Sequence, residues 1–152
     1  MKKVIGYLLL AAVAFVVLIQ FVPYGRNHQN PLVIQEPAWP DAETRSIAQR
    51  ACFDCHSNDT VWAWYTKIAP ASWLVQKDVD EGRSKLNFSE WGRDEQEIDE
   101  IGEVLREGEM PPVQYTLIHT DARLSKGERE TLMRGVAAIT GTTGEFEADD
   151  ED

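Results

Sequence analysis

The stretch Cys52-Phe53-Asp54-Cys55-His56 constrains this chain more than any other, because it uses both cysteines in the sequence. Two cysteines three residues apart with a histidine next to the second form the pattern by which a c-type haem is attached. On a helix, Cys52, Cys55 and His56 stand at i, i+3 and i+4 and project from one face. Both thiols can then add to the vinyl groups on one edge of a porphyrin while the imidazole of His56 reaches the iron. Cys52 and Cys55 are thereby expected as covalent attachment points for one haem c, and His56 as the proximal axial iron ligand. Three other chemistries share the motif. A structural zinc site wants four ligands, and only His28 and His119 remain to complete one. A thioredoxin-like dithiol belongs beside a strand-helix-strand pattern that the sequence lacks. A disulfide between i and i+3 of a helix is poorly placed and closes too short a loop to stabilise much.

At 152 residues the chain is read as one domain with appendages. A domain of about 100 residues is small enough for a haem to form a large part of its core. The net charge is −11, and without Lys2 and Lys3 it is −13. Such a surface repels phosphate backbones, so nucleic acid is not expected as a partner.

Lys2 and Lys3 precede an apolar run from Val4 to Val22. Nineteen residues at the helical rise span about 28 Å, close to the roughly 30 Å of a bilayer core. Ala12-Val13-Ala14 has the form of a signal cleavage site, but more apolar residues follow it, which favours an uncleaved anchor over residues 1–22. The positive-inside rule places the lysines in the cytoplasm and the rest of the chain outside it. Residues 23–40 hold Pro23, Pro31, Pro37 and Pro40, and read as a stiff tether with His28 as a solvated loop residue.

The expected domain covers residues 41–141 and is all-α. Asp41 can cap a helix running from Ala42 to about His56. Trp62, Trp64, Tyr65 and Trp73 form an aromatic cluster expected in the core, and the Ala69-Pro70 region is a candidate carbonyl donor to the outer ring nitrogen of His56. A helix is expected from Ser72 to about Glu81 and a loop from Gly82 to Gly92. Asp94 opens another, with Ile98, Ile101 and Leu105 inward and Glu95, Glu97, Asp99, Glu100 and Glu103 on its wet face, stopped by Gly108. Ser125 with Glu128 is a capping box for a last helix, with Leu132, Met133, Val136 and Ile139 on its apolar face and Gly141 at its end. Residues 142–152 are almost all polar and acidic, and read as a disordered tail.

Met110-Pro111-Pro112 follows Gly108 at once. A thioether is a soft ligand that suits haem iron opposite a histidine, and two prolines hold its backbone at small ordering cost. Met110 is therefore expected as the distal axial ligand, ahead of His119 and Met133.

The order C-x-x-C-H, Trp62-Ala-Trp64-Tyr65, Ile68-Ala-Pro70-Ala-Ser72-Trp73, Asn87-Phe88-Ser89-Glu90-Trp91 and Gly108-Glu109-Met110-Pro111-Pro112 with Tyr115, closed by a Leu-Ser-Xaa-Gly-Glu helix, resembles the bacterial haem-binding domain family of cytochrome c-like proteins. It covers about residues 38 to 141. The resemblance implies a small cytochrome c-like helical domain in the cell envelope, with His56 and Met110 as the axial pair of a single haem. Together with the anchor, it leads to the expectation of a single-pass inner-membrane protein with its haem domain on the periplasmic side. Such a protein carries single electrons between envelope redox partners and is not an enzyme. The competing readings are a haem sensor or small peroxidase with a labile distal ligand, and a haemless assembly module.

Overall fold

The computed structural model describes residues 1–94, 96, 98 and 100–141. The expected acidic tail, and Glu95, Glu97 and Asp99 of the expected wet face, lie outside them. The described residues form seven helices: α1 (Lys2–Ile19), α2 (Ala42–Ala51), α3 (Phe53–His56), α4 (Ala71–Lys85), α5 (Ile101–Glu107), α6 (Val113–Ile118) and α7 (Lys126–Thr140). Two 3-10 turns, Trp64–Lys67 and Thr120–Ala122, complete the set. The all-α expectation holds: among the described residues, pairing of the sheet type is limited to an isolated bridge between Gln35 and Glu90.

No residue of α1 is buried, so this apolar helix is not a core helix of the domain, and it is long and apolar enough to cross a membrane. The segment after it does not stand free. The Gln20 side chain donates to the Ala69 carbonyl at 2.9 Å and accepts from the Ala69 N–H at 3.0 Å. His28, expected as a solvated loop residue, stacks on Trp62 with ring centroids 4.3 Å apart. Glu36 takes Arg45 of α2 through two nitrogens at 2.7 and 2.8 Å, and this pairing holds its carboxyl below the usual range. Residues 23–40 thus lie along the domain as a strap, because their side chains find hydrogen-bond and stacking partners on it.

Inside the domain, α2 and α7 close the core. Asp41 caps α2 by accepting from the Thr44 N–H at 2.7 Å, and Ser125 and Glu128 form the capping box of α7. The two helices cross where a side chain on Gly135 would collide with Thr44. Ile47, Ala48, Leu132 and Val136 meet α5 through Ile101 and Leu105. The aromatic core lies elsewhere than in the expected cluster. Phe88 sits between Phe53 at 5.6 Å and Trp91 at 6.0 Å, with Trp39 at 5.3 Å, whereas Trp64 is 77% exposed.

Three helix boundaries differ from the expected ones. The helix from Ala42 breaks at Cys52, whose φ of −126° leaves the helical region, and resumes as α3. Gly82 does not end α4, which runs on to Lys85, because that glycine serves packing rather than chain reversal. The helix expected from Asp94 starts at Ile101. Ahead of it the Gln96 side chain turns back to accept from the Asn87 N–H at 3.2 Å and donate to the Glu90 carbonyl at 2.8 Å.

Candidate haem site

The attachment motif is a tight turn. Cys52 ends α2 by donating to the Ala48 carbonyl, and its own carbonyl accepts from both Cys55 N–H at 3.1 Å and His56 N–H at 2.9 Å. The break therefore keeps the i to i+4 relation between Cys52 and His56. Beneath the turn passes α4: a Cβ on Gly82 would lie 2.5 Å from the Cys55 carbonyl oxygen. Only hydrogen fits there.

His56 is fixed from two directions. Its Nδ1 lies 3.1 Å from the Leu86 carbonyl, and its own carbonyl accepts from the Phe88 N–H at 2.8 Å. A carbonyl only accepts, so Nδ1 carries the proton and Nε2 the lone pair. Burial lowers the pKa of the ring, which favours the neutral, ligating form. The expected carbonyl at Ala69-Pro70 is thus replaced by that of Leu86; Ala69 is engaged with Gln20 instead.

Cys52, Cys55, His56 and Met110 all line one cavity of 430 Å3. That volume lies in the range of cofactor sites. Leu86, Phe88, Ile101, Val104, Leu132 and Val136 give it apolar walls, and Met110 also packs against the core. Neither cysteine is in a disulfide. Burial pushes both thiols up to about 12, so they are protonated at neutral pH. Among the described residues no group of three or more His, Cys, Asp or Glu side chains is placed to hold a metal ion.

Gly108, in the left-handed conformation at φ 75°, ends α5, and the N–H groups of Glu109 and Met110 turn back to the Val104 carbonyl at 3.0 and 3.3 Å. Met110 is thereby carried to the cavity. The two rival ligands are placed differently. The His119 Nε2 is 2.6 Å from the Tyr65 hydroxyl and its ring stacks on Tyr115 at 4.3 Å, while Met133 packs on the core from α7. Neither lines the cavity.

Asp54 and Tyr115, which stand within the sequence motifs but carry no expected role there, meet beside the cavity. The Tyr115 hydroxyl donates to the Asp54 carboxylate at 2.7 Å, and the same carboxylate accepts from the Val61 N–H at 2.9 Å. Burial, then this bond, raises the Tyr115 pKa well above the phenol range, so it remains a donor. Asp54 sits between the two cysteines and Tyr115 lies five residues beyond Met110, so the pair clamps the attachment turn to the methionine loop. The signal was present: Asp54 is the acidic residue inside the motif. Tyr115→Phe is expected to cost about 1–2 kcal/mol in urea unfolding, with the Asp54→Asn, Tyr115→Phe double variant no worse than the sum of the singles.

The rim of the cavity carries Asp54, Asp78, Glu81, Glu100 and Glu109 against Lys85. Burial raises the Asp78 pKa. Two arginines nearby are engaged by the protein's own backbone: Arg83 donates to the Ser57 carbonyl at 2.8 Å, and Arg93 to the Arg83 and Ser84 carbonyls at 2.9 Å.

Comparison with known proteins gives one finding. The sequence model of a family described as a haem-binding domain matches residues 14–138. No curated protein and no solved structure matches the chain.

Proposed function

The chain belongs to the haem-binding domain family, and we propose that it serves there as a membrane-anchored, mono-haem c-type cytochrome carrying single electrons in the bacterial cell envelope. One observation supports this most: two free thiols, a neutral imidazole with its lone pair on Nε2 and a thioether all reach one apolar cavity. The donor set fits a covalent haem, with Cys52 and Cys55 forming thioethers, His56 the proximal ligand and Met110 the distal one. Bound there, the haem iron would supply a one-electron couple.

The protein's own contribution is to keep both ligands in place in either state. Leu86 holds the imidazole from behind, as an outer-shell carbonyl does for metal-bound histidines. The Gly108 turn and Pro111-Pro112 hold the sulfur, and the Asp54–Tyr115 bond fixes the distance between the two sides. Held by both His56 and Met110, a haem would offer no open position to a substrate, which favours electron carriage over catalysis. The thioether raises the reduction potential, whereas the rim carboxylates favour the more positive oxidised iron and oppose that rise. The exposed length and apolar character of α1, with Gln20 bonded to the domain, support an anchor that is retained.

The test is an optical spectrum of the full chain, expressed with the bacterial haem-attachment machinery, as wild type and as Met110→Ala. Haem that resists acid extraction, a low-spin ferric spectrum and a far-red sulfur-to-iron band lost in the variant are expected. Wild-type protein should be inert to carbon monoxide, and the variant should bind it. Rapid binding by the wild type would overturn the electron-carrier reading in favour of a sensor or peroxidase.

A further inference from the structure

We propose that the domain rests directly on the lipid surface through a carboxylate-free collar around the end of α1, its partner being the headgroups and upper acyl chains of the bilayer. This rests on α1 being a retained membrane helix.

The covalent path from α1 to the domain is short and closed. Gln20, the first residue after the helix, is bonded through both ends of its amide to the backbone of Ala69, so the domain begins where the helix stops. Arg26 donates to the same amide oxygen at 3.3 Å. Beyond it, a Cβ on Gly25 would strike the Ser72 carbonyl, which shows how closely the strap lies on the start of α4.

Around that junction the surface is apolar. Val22, Tyr24, Trp73, Leu74 and Lys77 line one surface depression, and Ile68 adjoins Ala69. Phe21, Trp64 and Leu74 are 79%, 77% and 49% exposed. Tryptophan and tyrosine with neighbouring basic residues is the composition of a membrane interface.

The charge pattern points the same way. All 26 carboxylates of the chain lie outside residues 1–35 and 60–77, the two stretches that meet at the junction, yet these hold Lys2, Lys3, Arg26, Lys67 and Lys77. A protein of net charge −11 would be repelled by anionic lipid if its acidic residues were spread evenly. Keeping them out of these two stretches while placing Arg26 and Lys67 there converts repulsion into attraction at that face; Lys77, at its margin, is paired with Glu81 at 3.5 Å. A soluble protein partner would be reachable from any side and would require no such segregation at the helix exit. The haem cavity is lined by the later half of α4, from Asp78 to Lys85, and the collar by its earlier half, so one helix sets the position of the cavity relative to the lipid.

The experiment places the full chain in vesicles of phosphatidylethanolamine and phosphatidylglycerol containing a diazirine phospholipid, and maps photo-crosslinks by mass spectrometry. Crosslinks are expected along α1 and also at Trp64, Ile68 and Leu74. In the triple variant Trp64→Asp, Ile68→Asp, Leu74→Asp the domain crosslinks should fall by about tenfold or more, with those of α1 unchanged. Crosslinks confined to α1 in the wild type, or persisting undiminished in the variant, overturn the docking surface while leaving the anchor in place. An absence of crosslinks in α1 overturns anchor and collar together. The visible spectrum of the same sample tests the electron-carrier reading separately.

Discussion

Gly82→Ala is expected to destabilise the domain by about 3 kcal/mol or more, even though alanine is the better helix former by about 1 kcal/mol. The opposition of the two effects makes the result diagnostic. Gly82 lies well inside α4, where propensity alone predicts a gain, but its Cβ would sit 2.5 Å from the backbone oxygen of Cys55. Backbone cannot rotate away as a long side chain can, so either α4 or the attachment turn must move. Moving the turn would also pull His56 from the Leu86 carbonyl. Haem content per chain should therefore fall together with the urea midpoint. Gly127 provides the control, since it lies in the first turn of α7 with nothing within 4 Å of an added Cβ. Gly127→Ala should be neutral or stabilising. If Gly82→Ala proved as stable as the wild type, the close approach of α4 to the motif would be wrong.

The second large effect is expected from Leu132→Ala. Leu132 is 1% exposed, belongs to the core cluster and forms part of the cavity wall. Truncation removes apolar burial and leaves a void beside the cofactor space, a combination that costs about 2–5 kcal/mol. The cavity would gain volume on the α7 side, so the haem would be held less firmly as well. Chemical denaturation followed both by haem absorbance and by helical circular dichroism should show the two transitions shifting to lower denaturant together. Separate transitions would mean that the cavity and the core are energetically independent, contrary to their shared residues.

Much of the helical frame could be read in advance because it depends on local chemistry. Asp41, Ser125 with Glu128, Gly108 and Gly141 act within one turn of their own positions, and each terminates or starts the expected element. Met110 could be singled out because two prolines and a glycine bracket it. Other features depend on contacts far along the chain and left no local mark. Gly82 looks like a stop signal until α3 is seen to press against it. Gln96 looks like a helical residue until its amide is found on the 87–90 loop. The proline-rich segment resembles a spacer, and only the long-range bonds of Gln20, His28 and Glu36 show it to be a strap. The tryptophan cluster misled for a related reason: aromatic character measures what a residue gains on leaving water, and partial cover satisfies it, as where Trp62 stacks on His28 of the strap. The partner of His56 was expected from the right type of group, a backbone carbonyl, but its location at Leu86 follows from the length of α4 and could not be read locally.

The crossing of α2 and α7 at Thr44 and Gly135 has a consequence for the order in which the protein is made. Leu132 and Val136, which close the cavity, are synthesised about eighty residues after Cys52. At roughly 5–20 residues per second, the cysteine pair spends several seconds on a growing chain that has no far wall. During that interval the thiols lack the α7 side of the cavity, and the burial that raises their pKa in the finished domain is incomplete. The α7 side of the cavity comes with the last helix, so a nascent chain stopped before α7 presents its cysteine pair more openly than the completed one, where both are half-buried.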